Sequence, residues 1–200
     1  EIGFCLVGSE MCIRDRLAAI QNFGGLDILV SNAGAAHAGP MLSISNDELR
    51  NAFELNFFSH YSFSTEAAKI LKNQNRGGQI LFNISKQAVN PGKNFGAYGL
   101  PKATTFFLMR QLALELGSDG IRVNGINADR IRSGLLTDDF ISSRAKSRGV
   151  SETEYMAGNL LNKEVKAEHV ANAFTSLACA ESTTGHVMTV DGGNIEASLR

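Results

Sequence analysis

Cysteine, proline and tryptophan are scarce in this chain of 200 residues, which contains three cysteines, three prolines and no tryptophan. The cysteines form no C-x-x-C pair, and the four histidines include neither a pair spaced by four residues nor an H-E-x-x-H motif. We therefore predict neither a disulfide framework nor a bound metal. No apolar run approaches the ~18 residues that a membrane-spanning helix needs, so we expect no membrane association.

An excess of charge of either sign is also missing, because 19 lysines and arginines nearly balance 20 aspartates and glutamates, for a formal net charge of −1. Such a chain has no global electrostatic attraction for nucleic acid, so a nucleic-acid partner is not expected. The chain is 44% hydrophobic and 20% charged, which is typical of a globular domain rather than a disordered or collagen-like one. These balances predict a soluble, cytoplasmic globular domain.

The first sixteen residues, EIGFCLVGSEMCIRDR, show no sustained helical or strand period and no initiating methionine. The segment SEMCIRDR resembles a translated sequencing adapter. We therefore interpret residues 1–16 as an artefact and assign residues 17–200 to one domain. A natural frayed terminus is the alternative.

Strands alternate with helices from residue 17 onward. The run Leu26–Val30 is nearly continuously apolar, which is typical of a strand buried on both faces. Ser45 and Glu48 have the spacing of a capping box at the start of a helix. Strands are predicted at Leu26–Val30, Gln79–Ser85, Ile121–Ile126 and His186–Val190, long helices at Ser45–Asn73, Ala97–Leu116 and Ala167–Ala180, and short helices after Thr137 and Ser151. Strands separated by helices of this length pair in parallel, so the predicted fold class is α/β.

Tyr98 and Lys102 form a Y-x-x-x-K pair at the mouth of a predicted helix. Side chains spaced by four residues share a helix face, and an ammonium beside a phenol lowers the phenol pKa from its usual value of about 10. Such a tyrosine can pass a proton to or from an alcohol oxygen. Taken alone, the pair is better explained as two solvated surface residues.

The surroundings of the pair favour a site. Ser85 follows a predicted buried strand and its hydroxyl can polarise the same oxygen, whereas Asn56 is either a satisfied core amide or part of the site. The segment Ser31–Gly34 follows the first strand at its carboxyl end, where open α/β sheets bind ligands. Gly34 would let backbone approach a ligand there.

The segments GGLDILVSNAG, NIS ending at Ser85, Tyr98-x-x-x-Lys102, IRVN and the closing DGG together resemble the short-chain dehydrogenase/reductase family over residues 17–195. This resemblance implies a Rossmann-like parallel sheet with flanking helices and a nicotinamide cofactor, either NAD or NADP, with NAD favoured. It also implies a homo-tetramer that assembles through the two long helices, with apolar surface from Phe106, Phe107, Met109 and Leu112, for which core packing is the alternative.

The resemblance assigns a role to each matching residue. Tyr98 is the acid/base, Ser85 orients the substrate oxygen, Lys102 lowers the Tyr98 pKa and holds the nicotinamide ribose, and Asn56 anchors a water in a proton relay. The backbone of Asn32, Ala33 and Gly34 lines the adenosine side, while Ile131 and Ser133 fall near the nicotinamide carboxamide.

A closer resemblance links four segments, at 86–103, 127–140, 155–161 and 189–194, to the C-terminal dehydrogenase domain of bifunctional rhamnulose-1-phosphate aldolase/alcohol dehydrogenases. It implies fusion to an upstream aldolase domain, a role in rhamnose catabolism, and lactaldehyde or a related small hydroxy-aldehyde as substrate.

Three departures from the family pattern leave alternatives open. The glycine-rich phosphate loop of the first βαβαβ half is missing, so we expect a fragment with an open sheet edge. A catalytically inactive fragment and a same-fold epimerase or lyase are therefore the alternative functions. Ser31 also replaces the first of two usual asparagines, and Asn127-Ala128-Asp129 replaces the usual Asn-Pro-Gly.

Three basic residues are expected near the site, at Lys86, Arg130 and Arg132. They would recognise a phosphate or carboxylate of the substrate, or else they are ordinary loop charges, with Arg130 paired to Asp129. Solvated loop charges are the favoured interpretation for Lys86 and Arg132, whereas the two interpretations of Arg130 are balanced. Lys86 and Arg130 are retained as candidate substrate-binding residues.

Overall fold

A computed structural model describes residues 18, 20–36 and 38–194, so the segment interpreted as an artefact, 1–16, lies outside the described residues. The strands are β1 (Ile28–Ser31), β2 (Gly78–Asn83), β3 (Ile121–Ala128) and β4 (Val187–Val190). The helices are α1 (Asn46–Phe53), α2 (Ser59–Gln74), α3 (Gly96–Leu116), α4 (Asp138–Arg148), α5 (Glu152–Met156) and α6 (Ala167–Cys179). A π-helical segment, Glu54–Phe58, joins α1 to α2.

The four strands form one parallel sheet in the order β1-β2-β3-β4. This confirms the predicted α/β class. The prediction that the first strand is buried on both faces is wrong, because Ile28 and Val30 are 42% and 49% exposed. β1 lies at the edge of the described sheet, and these two alternate residues share its exposed face.

Helices cover both faces of the central strands. Alternate residues of β2 point to opposite layers, so Ile80 and Phe82 pack with α2 and α3. Leu81 packs on the other face with α6, through Val170 and Leu177. This layering is the Rossmann-like arrangement that the sequence resemblance implied, and it leaves the carboxyl ends of the strands free to hold side chains of a site.

The sequence sets the helix starts locally. Ser45 and Glu48 make both hydrogen bonds of a capping box at the start of α1, and Ser151 and Glu154 do the same for α5. The Thr137 hydroxyl accepts a hydrogen bond from the third residue of α4. These caps satisfy backbone donors that a helix start leaves without intrahelical partners.

Candidate active site

Ser85 and Tyr98 come together at the carboxyl end of β2. Ser85 lies just past the strand and caps a short 3-10 turn, where its Oγ accepts a hydrogen bond from the Gln87 amide at 3.2 Å. Tyr98 lies in the first turn of α3 and is 8% exposed. Both side chains line the same cavity, so the hydroxyl and the phenol that lie 13 residues apart in the sequence share one site.

Lys102 lies one helical turn beyond Tyr98 and is 3% exposed. Its Nζ donates to the Asn83 carbonyl at 3.0 Å and lies 5.8 Å from the centroid of the Tyr98 ring. Burial lowers the pKa of Lys102 to about 8, because the charged amine loses its hydration. The amine is still mainly protonated at neutral pH.

The pKa of Tyr98 moves opposite to the direction expected from the sequence. Burial raises it above its usual value of 10, and the hydrogen bond from Ser85 offsets part of that rise. The phenolate is poorly solvated at this depth, and the ammonium of Lys102 points toward the Asn83 carbonyl rather than directly at the phenol. Tyr98 is therefore held as a protonated acid.

His60 is a residue of the site that the sequence reasoning missed. It is completely buried, with Nδ1 2.6 Å from Ser31 Oγ and Nε2 3.5 Å from Lys102 Nζ. An ammonium only donates hydrogen bonds, so Nε2 is an acceptor and the imidazole proton is on Nδ1, facing Ser31. Burial and then the charge of Lys102 lower the pKa of His60 to about 3, so the ring is neutral.

Two signals in the sequence could have revealed this histidine. His60 follows Asn56 by four residues and so shares its helix face. Ser31, its hydrogen-bond partner, stands at the position where the family usually carries asparagine.

Asn56 lies in the π-helical segment and is 1% exposed. Its amide donates to the Ala35 carbonyl at 2.9 Å and accepts from the Ala35 amide at 3.2 Å. Its own carbonyl accepts a hydrogen bond from Thr105 Oγ1 at 2.7 Å. Single π-helical turns often occur at functional sites, and this one fixes the loop that follows β1 against α3.

The loop at 32–34 lies next to Lys102. A Cβ added to Gly34 would lie 2.9 Å from Asn56 Oδ1 and 3.6 Å from Lys102 Nζ, so only glycine allows this approach. Asn32 accepts a hydrogen bond from the Asn83 amide at 2.6 Å, which ties the ends of β1 and β2 together. The structure thus brings the predicted residues Asn32, Ala33 and Gly34 to the same sheet edge as Lys102.

A cavity of about 350 Å³ opens beside Ser85 and Tyr98. Ile131 and Ser133 line it as well, so they share this cavity with Ser85 and Tyr98. The Ser133 hydroxyl donates to the Ile131 carbonyl at 3.2 Å, which stabilises the turn that carries them. The volume falls within the range of small-molecule sites in proteins.

Lys86 and Arg130 also line the cavity, whereas Arg132 does not. Lys86 Nζ and Arg130 Nε lie 3.1 Å and 3.2 Å from Asp129 Oδ2. The favoured interpretation of Lys86 as a solvated loop charge is wrong, because the cavity wall leaves its side chain only 15% exposed. The pairing of Arg130 with Asp129 is confirmed.

Arg132 is a surface residue. Its guanidinium pairs with Asp138 and Glu164, which hold it away from the cavity and raise its pKa. Arg144 and Arg148, which the sequence reasoning missed, line the cavity instead. In the sequence, only their spacing of four residues on a capped helix indicated that the two arginines share one helix face.

Two kinds of feature are absent from the described ranges. No helix among these residues is long and apolar enough to cross a membrane. No group of three or more histidine, cysteine or acidic side chains within the same ranges is placed to hold a metal ion.

Comparison with known proteins identifies the family. The family profile described as Enoyl-(Acyl carrier protein) reductase matches residues 10–194. The chain is 36% identical over 179 residues to the uncharacterized oxidoreductase YuxG of Bacillus subtilis, a match that covers 86% of this chain and 26% of YuxG. It is 32% identical over 180 residues to the 7alpha-hydroxysteroid dehydrogenase of Escherichia coli K12, covering 89% of this chain and 67% of that enzyme.

Solved structures share the fold. Carveol dehydrogenase from Mycobacterium avium in complex with NAD gives a TM-score of 0.86 at 22% identity, over 93% of this chain and 71% of that one. The chain thus spans about a quarter of YuxG and roughly two thirds of the two named dehydrogenases. The matched profile and the second relative show that the chain belongs to the short-chain dehydrogenase/reductase family.

Proposed function

We propose that this chain acts in a nicotinamide-dependent dehydrogenase or reductase whose substrate is a small alcohol or carbonyl compound. The observation that carries the proposal is that Ser85 and Tyr98 line one cavity, with Lys102 buried one helical turn away. A hydroxyl donor and a protonated phenol can together bind one substrate oxygen. Family membership supports the same reaction class.

In the direction of reduction, Tyr98 gives its proton to the substrate oxygen while Ser85 donates a hydrogen bond to that oxygen. In the direction of oxidation, Tyr98 takes the hydroxyl proton. The positive charge of Lys102 stabilises the negative charge that forms on the Tyr98 oxygen when the proton leaves. The cofactor supplies or accepts the hydride at the substrate carbon, and this chemistry belongs to the nicotinamide.

The residues present fit the nicotinamide end of such a cofactor. Lys102 and Tyr98 offer donors for ribose hydroxyls, and the close approach that Gly34 permits leaves backbone exposed beside them. Ile131 and Ser133, on the cavity wall, would face the carboxamide. We propose NAD or NADP as the cofactor and would test NAD first.

The proposed substrate is lactaldehyde or a related small hydroxy-aldehyde, with a role in rhamnose catabolism and an aldolase domain upstream. The sequence resemblance to aldolase/dehydrogenase fusions supports this choice. The length of YuxG is compatible with a further domain in that relative, because about three quarters of YuxG lies outside the matched region.

The test is an assay of this chain with lactaldehyde and either NAD or NADH, following cofactor fluorescence. Tyr98→Phe removes the acid/base hydroxyl and should lower kcat by at least ~100-fold, the size of a general acid–base contribution. Tyr61→Phe, an exposed tyrosine on α2, is the matched control and should retain activity.

The alternatives give different results. An inactive fragment would show no turnover with either cofactor, and an epimerase or lyase would convert substrate with no net change in NADH. Equal activity of Tyr98→Phe and the unmodified chain would remove Tyr98 from the reaction.

We further propose a homo-oligomer, expected to be a tetramer, that assembles through the two long helices. Met109 and Leu112, expected to supply apolar surface, are instead buried in the core, and Phe106 packs partly against it. Phe107 is 68% exposed, which supports an association face on α3.

A further inference from the structure

The cavity beside Ser85 and Tyr98 is strongly cationic. Five basic residues line it, whereas Asp129 is the single acidic residue among the described ones on its wall. The basic residues are Lys86, Lys93, Arg130, Arg144 and Arg148. A cavity with this imbalance attracts anions and repels cations, and low-dielectric walls strengthen the effect.

Asp129 is already committed to three partners. Its Oδ2 accepts from Lys86 at 3.1 Å, from Arg130 at 3.2 Å and from the Asn194 amide at 2.6 Å. It is 8% exposed, so this carboxylate is fixed in the wall. One negative charge therefore offsets only part of the positive charge of Lys86 and Arg130. Asp129 forms its ion pairs with these two residues and not with the arginines of α4.

Arg144 and Arg148 are held by aromatic rings rather than by acids. The Arg144 guanidinium lies 5.1 Å from the Phe95 ring centroid, and that of Arg148 lies 5.2 Å from the Tyr155 ring centroid. Neither makes an ion pair with a residue that the structure describes, and Arg144 Nε is buried with no hydrogen-bond partner there. Stacking fixes a guanidinium plane while leaving N–H groups available for an oxyanion.

Arg144 lies one aromatic ring from Tyr98. Phe95, on which Arg144 stacks, is in edge contact with the Tyr98 ring at a centroid distance of 6.5 Å. The cavity volume of about 350 Å³ lies at the lower end of the range for small-molecule sites. A small substrate could thus place its oxygen at Tyr98 and a second, charged group at α4.

We propose that Arg144 and Arg148 form an anion subsite, and that the substrate is a small hydroxy or carbonyl compound bearing a carboxylate or a phosphate. Bidentate pairing of guanidinium with these oxyanions gives both affinity and orientation. The inference on the substrate rests on the proposed function, whereas the existence of the subsite does not. The substrate class proposed here differs from lactaldehyde, which carries no charge.

The first test measures binding without turnover. The Nε–Hε signals of the arginines are followed by nuclear magnetic resonance while sodium phosphate or sodium acetate is titrated at constant ionic strength. We expect a saturable shift of the Arg144 signal, and Arg144→Met and Arg148→Met should each weaken anion binding roughly 10- to 100-fold. Arg132→Met, outside the cavity, is the control and should bind as the unmodified chain does.

Saturation by phosphate alone would assign a phosphate monoester as substrate, and saturation by acetate would assign a carboxylate. Absence of a saturable shift with both anions, or an equal loss of binding in Arg132→Met, would overturn the subsite.

The second test compares charged and neutral substrates of similar shape. The pairs are glyceraldehyde 3-phosphate with glyceraldehyde, and 3-hydroxybutyrate with its methyl ester. Arg144→Met should lower the ratio of kcat/KM for the charged to the neutral member roughly 10- to 100-fold. An unchanged ratio alongside measurable turnover rejects anionic substrates but keeps the dehydrogenase. Anion binding without any turnover favours the inactive fragment over an active dehydrogenase and keeps the subsite.

Discussion

At the scale of single residues, the site depends on a buried histidine that stays neutral. His60 connects Ser31, at the end of β1, to Lys102 on α3 through its two ring nitrogens. A protonated ring would place two positive charges 3.5 Å apart in the core. The neutral ring therefore accepts from the lysine and helps to fix where its ammonium points.

This arrangement predicts sensitivity to acid. The pKa of His60 is about 3 in the fold against 6.5 for a free histidine, so the folded state binds fewer protons between these values. Its contribution to stability is present above pH 6.5 and is lost as the pH falls toward 3. At pH 4.5 the loss from this group is about 3 kcal/mol of the free energy of unfolding.

Urea denaturation of the unmodified chain and of His60→Leu, at pH 7 and pH 4.5, measures the effect. The difference in unfolding free energy between the two pH values should shrink in His60→Leu by that amount. His186→Gln, which changes an exposed histidine, is the control. An identical pH dependence in all three proteins would show that His60 is not the group that titrates.

The residues of the site that local spacing defines could be predicted from the sequence. Tyr98 and Lys102 are one helical turn apart and Ser85 follows a strand, so local spacing marked these positions, whereas their roles came from the resemblance of the whole chain to a family. His60 and Ser31 are 29 residues apart, and their contact exists only once α2 packs on β1. The predicted lowering of the Tyr98 pKa was wrong for the same reason, because the burial that raises this pKa arises only in the packed fold.

At the scale of secondary-structure elements, one charged side chain joins β3 to α6. The Arg122 guanidinium donates to the carbonyls of Leu177, Ala178 and Ala180 at the end of that helix. A cation there adds hydrogen bonds to the last carbonyls of the helix and interacts favourably with the helix dipole.

Arg122→Met keeps most of the aliphatic volume and removes these hydrogen bonds. We expect a loss of about 2–3 kcal/mol in the free energy of unfolding, with faster amide exchange at the end of α6. Arg110→Met, an exposed arginine on α3 stacked on Phe106, is the control and should change stability by less than about 1 kcal/mol. If both variants lose the same free energy of unfolding, the hydrogen bonds of Arg122 stabilise the fold no more than the cation–π contact of Arg110 at the surface does.

Element boundaries were predictable where a side chain marks them. The capping boxes at Ser45 and Ser151 set helix starts correctly. The π-helical segment Glu54–Phe58 was not foreseen, because no local pattern marks it and its Asn56 carbonyl is bound by Thr105, 49 residues away. The exposed face of β1 was also missed, because an apolar run does not show which strands will lie beside it.

At the scale of the whole molecule, exposed apolar side chains lie at several places among the described residues, and two of these places are faces of a strand and of a long helix. One is the face of β1 that carries Ile28 and Val30. The other is a stripe on α3 formed by Leu100, Phe107 and Leu114, which are spaced by seven residues and are 46%, 68% and 79% exposed. A seven-residue spacing places side chains on one helix face, and this repeat is typical of helices that pair along their length.

The stripe predicts that charge on α3 disrupts the proposed oligomer. Phe107→Glu puts a carboxylate at its centre, where pairing with a second copy would bury it, so the mass in solution should fall toward that of the monomer. Leu161→Glu is the matched control, because Leu161 is 65% exposed but lies between α5 and α6, away from the stripe. Sedimentation velocity of the three proteins measures the mass at several concentrations. If the oligomer persists in Phe107→Glu, the α3 face is not the interface. The same conclusion follows if Leu161→Glu dissociates the oligomer as fully as Phe107→Glu does.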